Sequence, residues 1–346
     1  MTELPRKPTN QWESLYSGGP VFAVAPMIDW TDKFCRYLHR QMSHHALLYT
    51  EMIVADAIIH GRQEKLLSHH DAENPVALQL GGSAPEKLAA ATKIALEYNY
   101  NEINLNVGCP SDRVQSGTFG ACLMREPETV QRCVAAMKAV TGLPVTVKCR
   151  IGVDDQIPED VLPDFIARMI EAGADAIWIH ARKAWLQGLS PKENREIPPL
   201  DYDLVYAMKA ANPNTFIGIN GGISDLAQAS KHLEHVDGVM LGRAAYHNTN
   251  ILGDVDHVIY GKPAVAPDWQ QICQTMMTFA ADYIATGGRL NHVTRHMVGL
   301  FQGFAGARRF RQILSSDATK PGAGPEVIEA AFAAIDFEAT SLKAAG

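Results

Sequence analysis

Cys109 lies in the run Asn106-Val-Gly-Cys-Pro-Ser, directly after the apolar stretch Ile103–Val107. A thiol placed where a buried run opens into a loop is positioned for chemistry as well as for packing. Most of the other five cysteines, at 35, 122, 133, 149 and 273, read as small buried side chains. No pair has CxxC spacing and the six are scattered, so neither a disulfide framework nor a metal site is expected, and a reducing cytoplasm is the default setting. Further groups able to bond or carry charge also end apolar runs. Pro26-Met27-Ile28 follows the first run and Gln79 lies at the end of the third. Lys148 and Arg150 alternate on the fifth, and His180 follows the sixth. Asn220-Gly221-Gly222 follows the seventh and Gly242-Arg243 the eighth. Lys148 admits three readings: a Schiff base, a salt bridge, or a charge beside a cofactor. His180 is either a phosphate or ring contact or a satisfied buried histidine.

The elements that must position these groups are eight short apolar runs: Val21–Ala25, Leu47–Met52, Val76–Leu80, Ile103–Val107, Val145–Cys149, Ala176–Ile179, Phe216–Ile219 and Gly238–Leu241. They read as parallel strands buried on both faces. Amphipathic stretches lie between most of them, with helix-start chemistry at Ser83-Ala-Pro-Glu, Glu126-Pro-Glu-Thr and Ser224-Asp. Eight strand-then-helix units predict an α/β fold, a (β/α)₈ TIM barrel, followed by a small C-terminal all-helical domain. A doubly wound sheet usually has fewer strands and a glycine-rich first turn, and the chain has no GxGxxG. Barrel active sites lie at the C-terminal strand ends, where the groups above cluster, and the loops after strands seven and eight commonly bind phosphate. The glycine turns Asn220-Gly-Gly-Ile-Ser and Leu241-Gly-Arg-Ala suit that task. The expected domains are an N-terminal extension over 1–17, the barrel over 18–262 and a helical domain over 263–346, with Pro263 and Pro267 marking a linker.

A chain of 346 residues accommodates one barrel of about 250 residues plus a smaller domain. No apolar run reaches the ~18 residues of a membrane span. The first seventeen residues are polar, so no export signal is expected. The net charge of −7 argues against a wholly basic nucleic-acid surface. Tyr283–Ser316, however, holds five arginines (289, 295, 308, 309 and 311) and no carboxylate, leaving 26 basic against 38 acidic residues elsewhere, or −12. Such asymmetry points to a polyanionic partner at one end.

Several motifs together resemble one family, the tRNA-dihydrouridine synthases. They are Ala25-Pro-Met-Ile-Asp, Asn106-Val-Gly-Cys-Pro-Ser, Gly117-Thr-Phe-Gly-Ala-Cys-Leu, Val147-Lys-Cys-Arg-Ile-Gly, Ile179-His-Ala-Arg, Ile219-Asn-Gly-Gly-Ile and Val239-Met-Leu-Gly-Arg-Ala, all in order. The stretch from His180 to Leu200 resembles the A-type bacterial subfamily. The likeness covers roughly Val21 to Leu314.

The resemblance implies FMN as cofactor, lined by Pro26, Met27 and Ile28, with Gln79 and Lys148 at its ring and His180, Asn220, Gly221, Gly222, Gly242 and Arg243 toward its phosphate. It implies NADPH (or NADH) as reductant, and uridine in the tRNA D loop, positions 20 and 20a, as substrate. It makes Cys109 the proton donor. A thiol of ordinary pKa, about 8.5, is mostly protonated near neutral pH and suits that role. Asn106, Lys192, Arg195, Arg308 and Arg311 would touch tRNA. Arg308 and Arg311 are three apart and share a helix face, from which Arg309 points away. No obligatory protein partner, membrane or metal is expected. Two other readings are a barrel reductase using FMN on a small molecule, which leaves the basic tail unexplained, and an RNA-binding chaperone on an inactive barrel. The intact set of Gln79, Cys109, Lys148 and His180 argues against the latter.

Overall fold

The structure, a computed structural model, describes residues 15–111 and 119–338. Eight parallel strands close into a barrel in chain order: β1 (Val21–Val24), β2 (Leu47–Val54), β3 (Val76–Gly81), β4 (Glu102–Val107), β5 (Val145–Arg150), β6 (Ala176–His180), β7 (Phe216–Asn220) and β8 (Gly238–Leu241). The expected barrel is the observed one, and each apolar run falls on its strand. Closure pairs β1 with β8, from Val21 opposite Gly238 to Val24 opposite Leu241. The one irregular register among the paired strands lies between Tyr49 and Met52 of β2.

The helix starts differ in detail from expectation. Helix Pro85–Ala95 begins with proline in its first turn, but Ala84, not Ser83, holds the cap position and supplies no side-chain bond. Asp225 does cap helix Leu226–Leu233, accepting from the Gln228 N–H. Pro127 opens helix Pro127–Lys138 as expected.

The chain packs as two compact units. One takes the chain up to Asp29 together with Leu47–Gly242; the other takes Trp30–Ala46 and the chain from Arg243 onward. This division does not follow the expected boundary at 262/263. Helix Lys33–Met42 belongs with the C-terminal helices because its apolar face packs there: Tyr37 stacks on Phe279 at 3.9 Å, and Phe34 meets Tyr283 at 4.6 Å. Asp32 caps that helix and also pairs with Arg295 at 2.6 Å and His296 at 3.1 Å. Burial alone would raise its carboxyl; the bond and charge of His296, with Arg295, outweigh that and hold it below the usual range. Residues 261–268, with both linker prolines, have no regular structure. The second unit has its own aromatic core around Phe301, which meets Trp269, Phe304, Phe310 and Phe332 at 4.8–5.3 Å.

Inside the barrel, alternate residues of each strand face inward. Val21, Leu47, Tyr49, Ala77, Trp178, Phe216 and Met240 fill it, and Leu15 and Tyr16 pack against them. The end of the expected N-terminal extension is therefore part of the barrel packing, its Tyr16 ring edge-on to Phe216 at 4.6 Å. Trp178 fits because positions 218 and 238 carry no side chain: a Cβ on Gly218 would lie 2.2 Å from Trp178 Cε3, and one on Gly238 2.7 Å from Cη2. Among the described residues no helix is long and apolar enough to cross a membrane.

Gly218→Ala is expected to lower stability by about 1–3 kcal/mol, since a full indole must shift within a closed barrel. Urea unfolding measures this; an unchanged midpoint would show that Trp178 has room to move.

Candidate active site

Residues 104 and 106 of β4, 79 of β3 and 146 and 148 of β5 share the inward face at the period of two that a strand imposes. Cys109 lies two residues beyond β4, half-buried and not in a disulfide. Its turn is held from below. The Asn106 Oδ1 accepts from the N–H of Gly108 at 3.2 Å and of Cys109 at 3.0 Å, and the Cys109 carbonyl accepts from the Ala121 N–H at 2.9 Å. The thiol donates to Ser111 Oγ at 3.5 Å. Asn106 Nδ2 donates to Gln79 Oε1 at 2.7 Å, and Gln79 Nε2 donates to Asn104 Oδ1 at 2.8 Å. Gln79 and Asn106, expected in separate roles, thus form one bonded pair that ends at the cysteine turn.

A cationic group lies on the neighbouring strands. Lys148 Nζ donates to Asn220 Oδ1 at 3.0 Å, and Asn220 Nδ2 donates to the Met240 carbonyl at 2.7 Å, linking β5, β7 and β8. Burial, reinforced by the charge of Arg150, pushes the Lys148 ammonium down to about 8. Arg150 is buried. Its Nε donates to the Gly108 carbonyl at 3.0 Å, and its Nη1 donates to those of Lys183 at 3.1 Å and Asn194 at 2.9 Å. It therefore ties the cysteine turn to the loop after β6, a part that its place beside Lys148 did not reveal. His180 is held neutral: burial, then the charges of Arg150, Lys148, Arg182 and Arg195, drive its pKa well below 6.5.

Four observations fit a phosphorylated cofactor with an apolar ring. The buried Nδ1 of His180 has no hydrogen-bond partner among the described residues. Gly221 and Gly222 take φ of 115° and 75°, and a Cβ on Gly222 would meet Leu200 at 2.6 Å and Tyr202 at 2.7 Å, so only glycine makes this turn beside His180. Met27 Sδ comes within 3.5 Å of where a Gly242 Cβ would lie, which places the ends of β1 and β8 side by side. Ile28 is 52% exposed, an apolar side chain left at the strand ends. Arg243 opens the next helix, Arg243–His247, and falls in the second unit. Among the described residues no cluster of His, Cys, Asp or Glu could hold a metal.

Lys192 and Arg195 are exposed on the loop after β6. That loop is organised by buried Asn194, whose Oδ1 accepts from the Trp185 N–H at 2.7 Å and whose Nδ2 donates to the Trp185 carbonyl at 2.8 Å. Trp185 stays 42% exposed with Lys183 over its ring at 5.4 Å, leaving an aromatic and basic surface. In the second unit Arg308 and Arg311 share a cavity of about 670 Å³ with Tyr246, His247 and Gln302; Arg309 does not line it and bonds Gln312 at 3.0 Å. The five-arginine stretch is less free than its sequence implies, because Arg295 is held by Asp32.

The family profile described as Dihydrouridine synthase (Dus) matches residues 23–336. The chain belongs to the dihydrouridine synthase family. It is similar to a protein of Shewanella oneidensis named tRNA-dihydrouridine(20/20a) synthase, with 54% identity over 92% of this chain and 94% of that one. A Vibrio cholerae protein of the same name is 54% identical over 91% of this chain and 97% of its own. Among solved structures, morphinone reductase has a similar fold, with a TM-score of 0.50 and 13% identity over 73% of this chain and 88% of that one.

Cys133 and Cys149 are fully buried, and burial pushes each thiol up to about 12, as suits packing. Cys122 is half-buried, its thiol bonded to the Phe119 carbonyl at 3.1 Å. Gly117 and Thr118 of the third motif lie outside the described residues. Arg150 was visible at its strand end but without a role; the residues that sequence reasoning passed over are Asn194, Thr146 and Glu102. Only Glu102 left a signal, an acid at the start of an otherwise apolar strand and in phase with Asn104 and Asn106.

His180 gives a pH prediction with a fixed sign. Below about pH 6.5 the unfolded chain takes up a proton at this position while the folded protein does not, so stability falls as pH falls. His180→Asn should make the drop between pH 6.5 and 5 shallower than in the wild type. Parallel stability curves would show that the imidazole charges in place.

Proposed function

We propose that this chain reduces uridine to 5,6-dihydrouridine in the D loop of tRNA, at positions 20 and 20a, in the cytoplasm, with FMN as cofactor and NADPH (or NADH) as the reductant. The observation that carries this reading is the 54% identity, over 92% of the chain, to a relative named for that reaction. The uracil C5=C6 bond is conjugated with the C4 carbonyl, so reduction places a hydride on C6 and a proton on C5. When bound, the flavin supplies the hydride. The remaining steps belong to the protein. The Cys109 thiol delivers its proton to C5 and regains one from solvent. Its position just beyond β4, on a turn pinned by Asn106 and Arg150, supports that role.

Lys148, Gln79 and the apolar set Pro26, Met27 and Ile28 would hold the ring. A lysine near the ring's N1 and O2 favours negative charge there. His180, Asn220, Gly221, Gly222, Gly242 and Arg243 would hold the phosphate, and the orphaned His180 Nδ1 is the group in most need of that partner. The uridine must leave its stack at a cost of a few kcal/mol. Contacts from Asn106, Lys192, Arg195, Arg308 and Arg311 offset it. Neither Arg308 nor Arg311 has a side-chain partner among the described residues, so both guanidinium groups are available to phosphate. With no separate nucleotide fold among the described residues, the nicotinamide would use the same face as uridine, giving parallel initial-rate lines.

The test is position-mapped dihydrouridine formation on unmodified tRNA with NADPH. Wild-type protein should form it in the D loop. Cys109→Ala should retain FMN and NADPH oxidation while product formation falls by about 100-fold or more. Product from the variant at the wild-type rate would remove Cys109 as the acid. NADPH oxidation without product in the wild type, also on tRNA carrying its other modifications, would favour a small-molecule substrate.

Charge loss in Arg308→Ala/Arg311→Ala should weaken tRNA binding and make the slope of log affinity against log salt shallower by roughly one to two. An unchanged slope, measured by filter binding, would remove both arginines from the RNA contact.

A further inference from the structure

The inward face of β4 is polar along its whole length, with Glu102, Asn104 and Asn106 all buried. The bonds among these residues and their neighbours run in one direction. The Cys109 and Gly108 N–H groups donate to Asn106 Oδ1. Asn106 donates to Gln79 at 2.7 Å, Gln79 to Asn104 at 2.8 Å, and Asn104 to Thr146 Oγ1 at 2.7 Å. Thr146 donates to Glu102 Oε1. That carboxylate also accepts from Tyr49 OH at 2.6 Å and from Tyr16 OH.

A primary amide can be turned to exchange its donor and acceptor ends, so a ladder of three amides could run either way. Here both ends forbid reversal. A carboxylate only accepts, so Thr146 must give it its proton and must therefore accept from Asn104. Backbone N–H groups only donate, so Asn106 must offer them its oxygen. Every link between then has one allowed orientation. Burial raises the Glu102 carboxyl to about 7 while its three hydroxyl donors work against that rise, and because the backbone N–H end alone fixes each amide in turn, the direction holds whether or not that carboxyl carries a proton. Burial, with the charge of Glu102, raises both tyrosines well above 10, so both stay donors.

We propose that Glu102 and Thr146 are positioning residues for Cys109: a one-way hydrogen-bond wire anchored on the Glu102 carboxylate runs through Thr146, Asn104, Gln79 and Asn106 and holds the turn that carries the thiol. Neither residue touches substrate; each acts through the amides. The catalytic meaning rests on the proposed role of Cys109, whereas the wire itself does not.

Thr146→Val cuts the wire at nearly constant volume, and Thr146→Ser keeps it. Hydrogen exchange by mass spectrometry on the whole protein, with the rate of Cys109 alkylation by iodoacetamide, reads the effect without reference to turnover. Thr146→Val should speed exchange at the Gly108 and Cys109 amides by about five- to tenfold, the loss of one bond's worth of order. It should also change the alkylation rate, and leave the Ile219 amide on β7 unaltered. Thr146→Ser should restore both values. Glu102→Gln retains a carbonyl for Thr146 and should keep exchange at the turn within about twofold of wild type. Should Thr146→Val not fold, Asn104→Leu cuts the next link and is read the same way. Wild-type exchange and alkylation in a folded cut variant would overturn the proposal, as would an equal rise at Ile219, which marks general loosening. In the dihydrouridine assay the cut should lower kcat with the KM for tRNA unchanged. If wild-type protein forms no dihydrouridine, the functional reading fails while exchange at Gly108 and Cys109 still decides the wire.

Discussion

A polar atom buried inside this barrel must find a hydrogen-bond partner or be disfavoured by a few kcal/mol. β4 presents three such side chains in succession. That constraint organises the side of the barrel that leads to Cys109. The amides of β4 bond across to Gln79 on β3 and Thr146 on β5, and their chain ends on the turn that bears Cys109. Apolar packing fills the rest of the interior around Trp178, for which two strand glycines leave space.

Charge is arranged by the same economy. Arg150 and Lys148 both point into the barrel, and desolvation lowers the pKa of each. Arg150 offsets this with three backbone carbonyls drawn from two loops, so a buried cation becomes a tie between the cysteine turn and the loop after β6. Among the described residues Lys148 has one side-chain partner, Asn220, and His180 is kept neutral by burial and then by the cations around it. An anionic cofactor would supply what these groups lack.

The second unit is built on different terms. Its core is a cluster of phenylalanine rings around Phe301, and its surface keeps two arginines without side-chain partners among the described residues, beside a cavity. Within this unit Asp32 serves two ends at once, capping helix Lys33–Met42 and neutralising Arg295. One of the five arginines in the acid-free stretch is therefore structural, and charge counting in sequence could not distinguish it from the others.

The barrel was legible from sequence because each strand is a short apolar run and each strand end carries polar or glycine residues in a repeating order, a local pattern that survives without knowledge of contacts. For the same reason Cys109 and the glycine turns stood out, each following its own run, and Lys148 stood out as a charge within one. Tertiary structure alone decided which groups meet. The pairing of Gln79 with Asn106 spans 27 residues, that of Thr146 with Glu102 spans 44, and that of Asp32 with Arg295 spans 263. Barrel closure and helix packing set those pairings, and no local spacing encodes them. The placement of Tyr16 in the barrel and of helix Lys33–Met42 in the second unit has the same origin, since both are chosen by the shape of distant apolar surfaces.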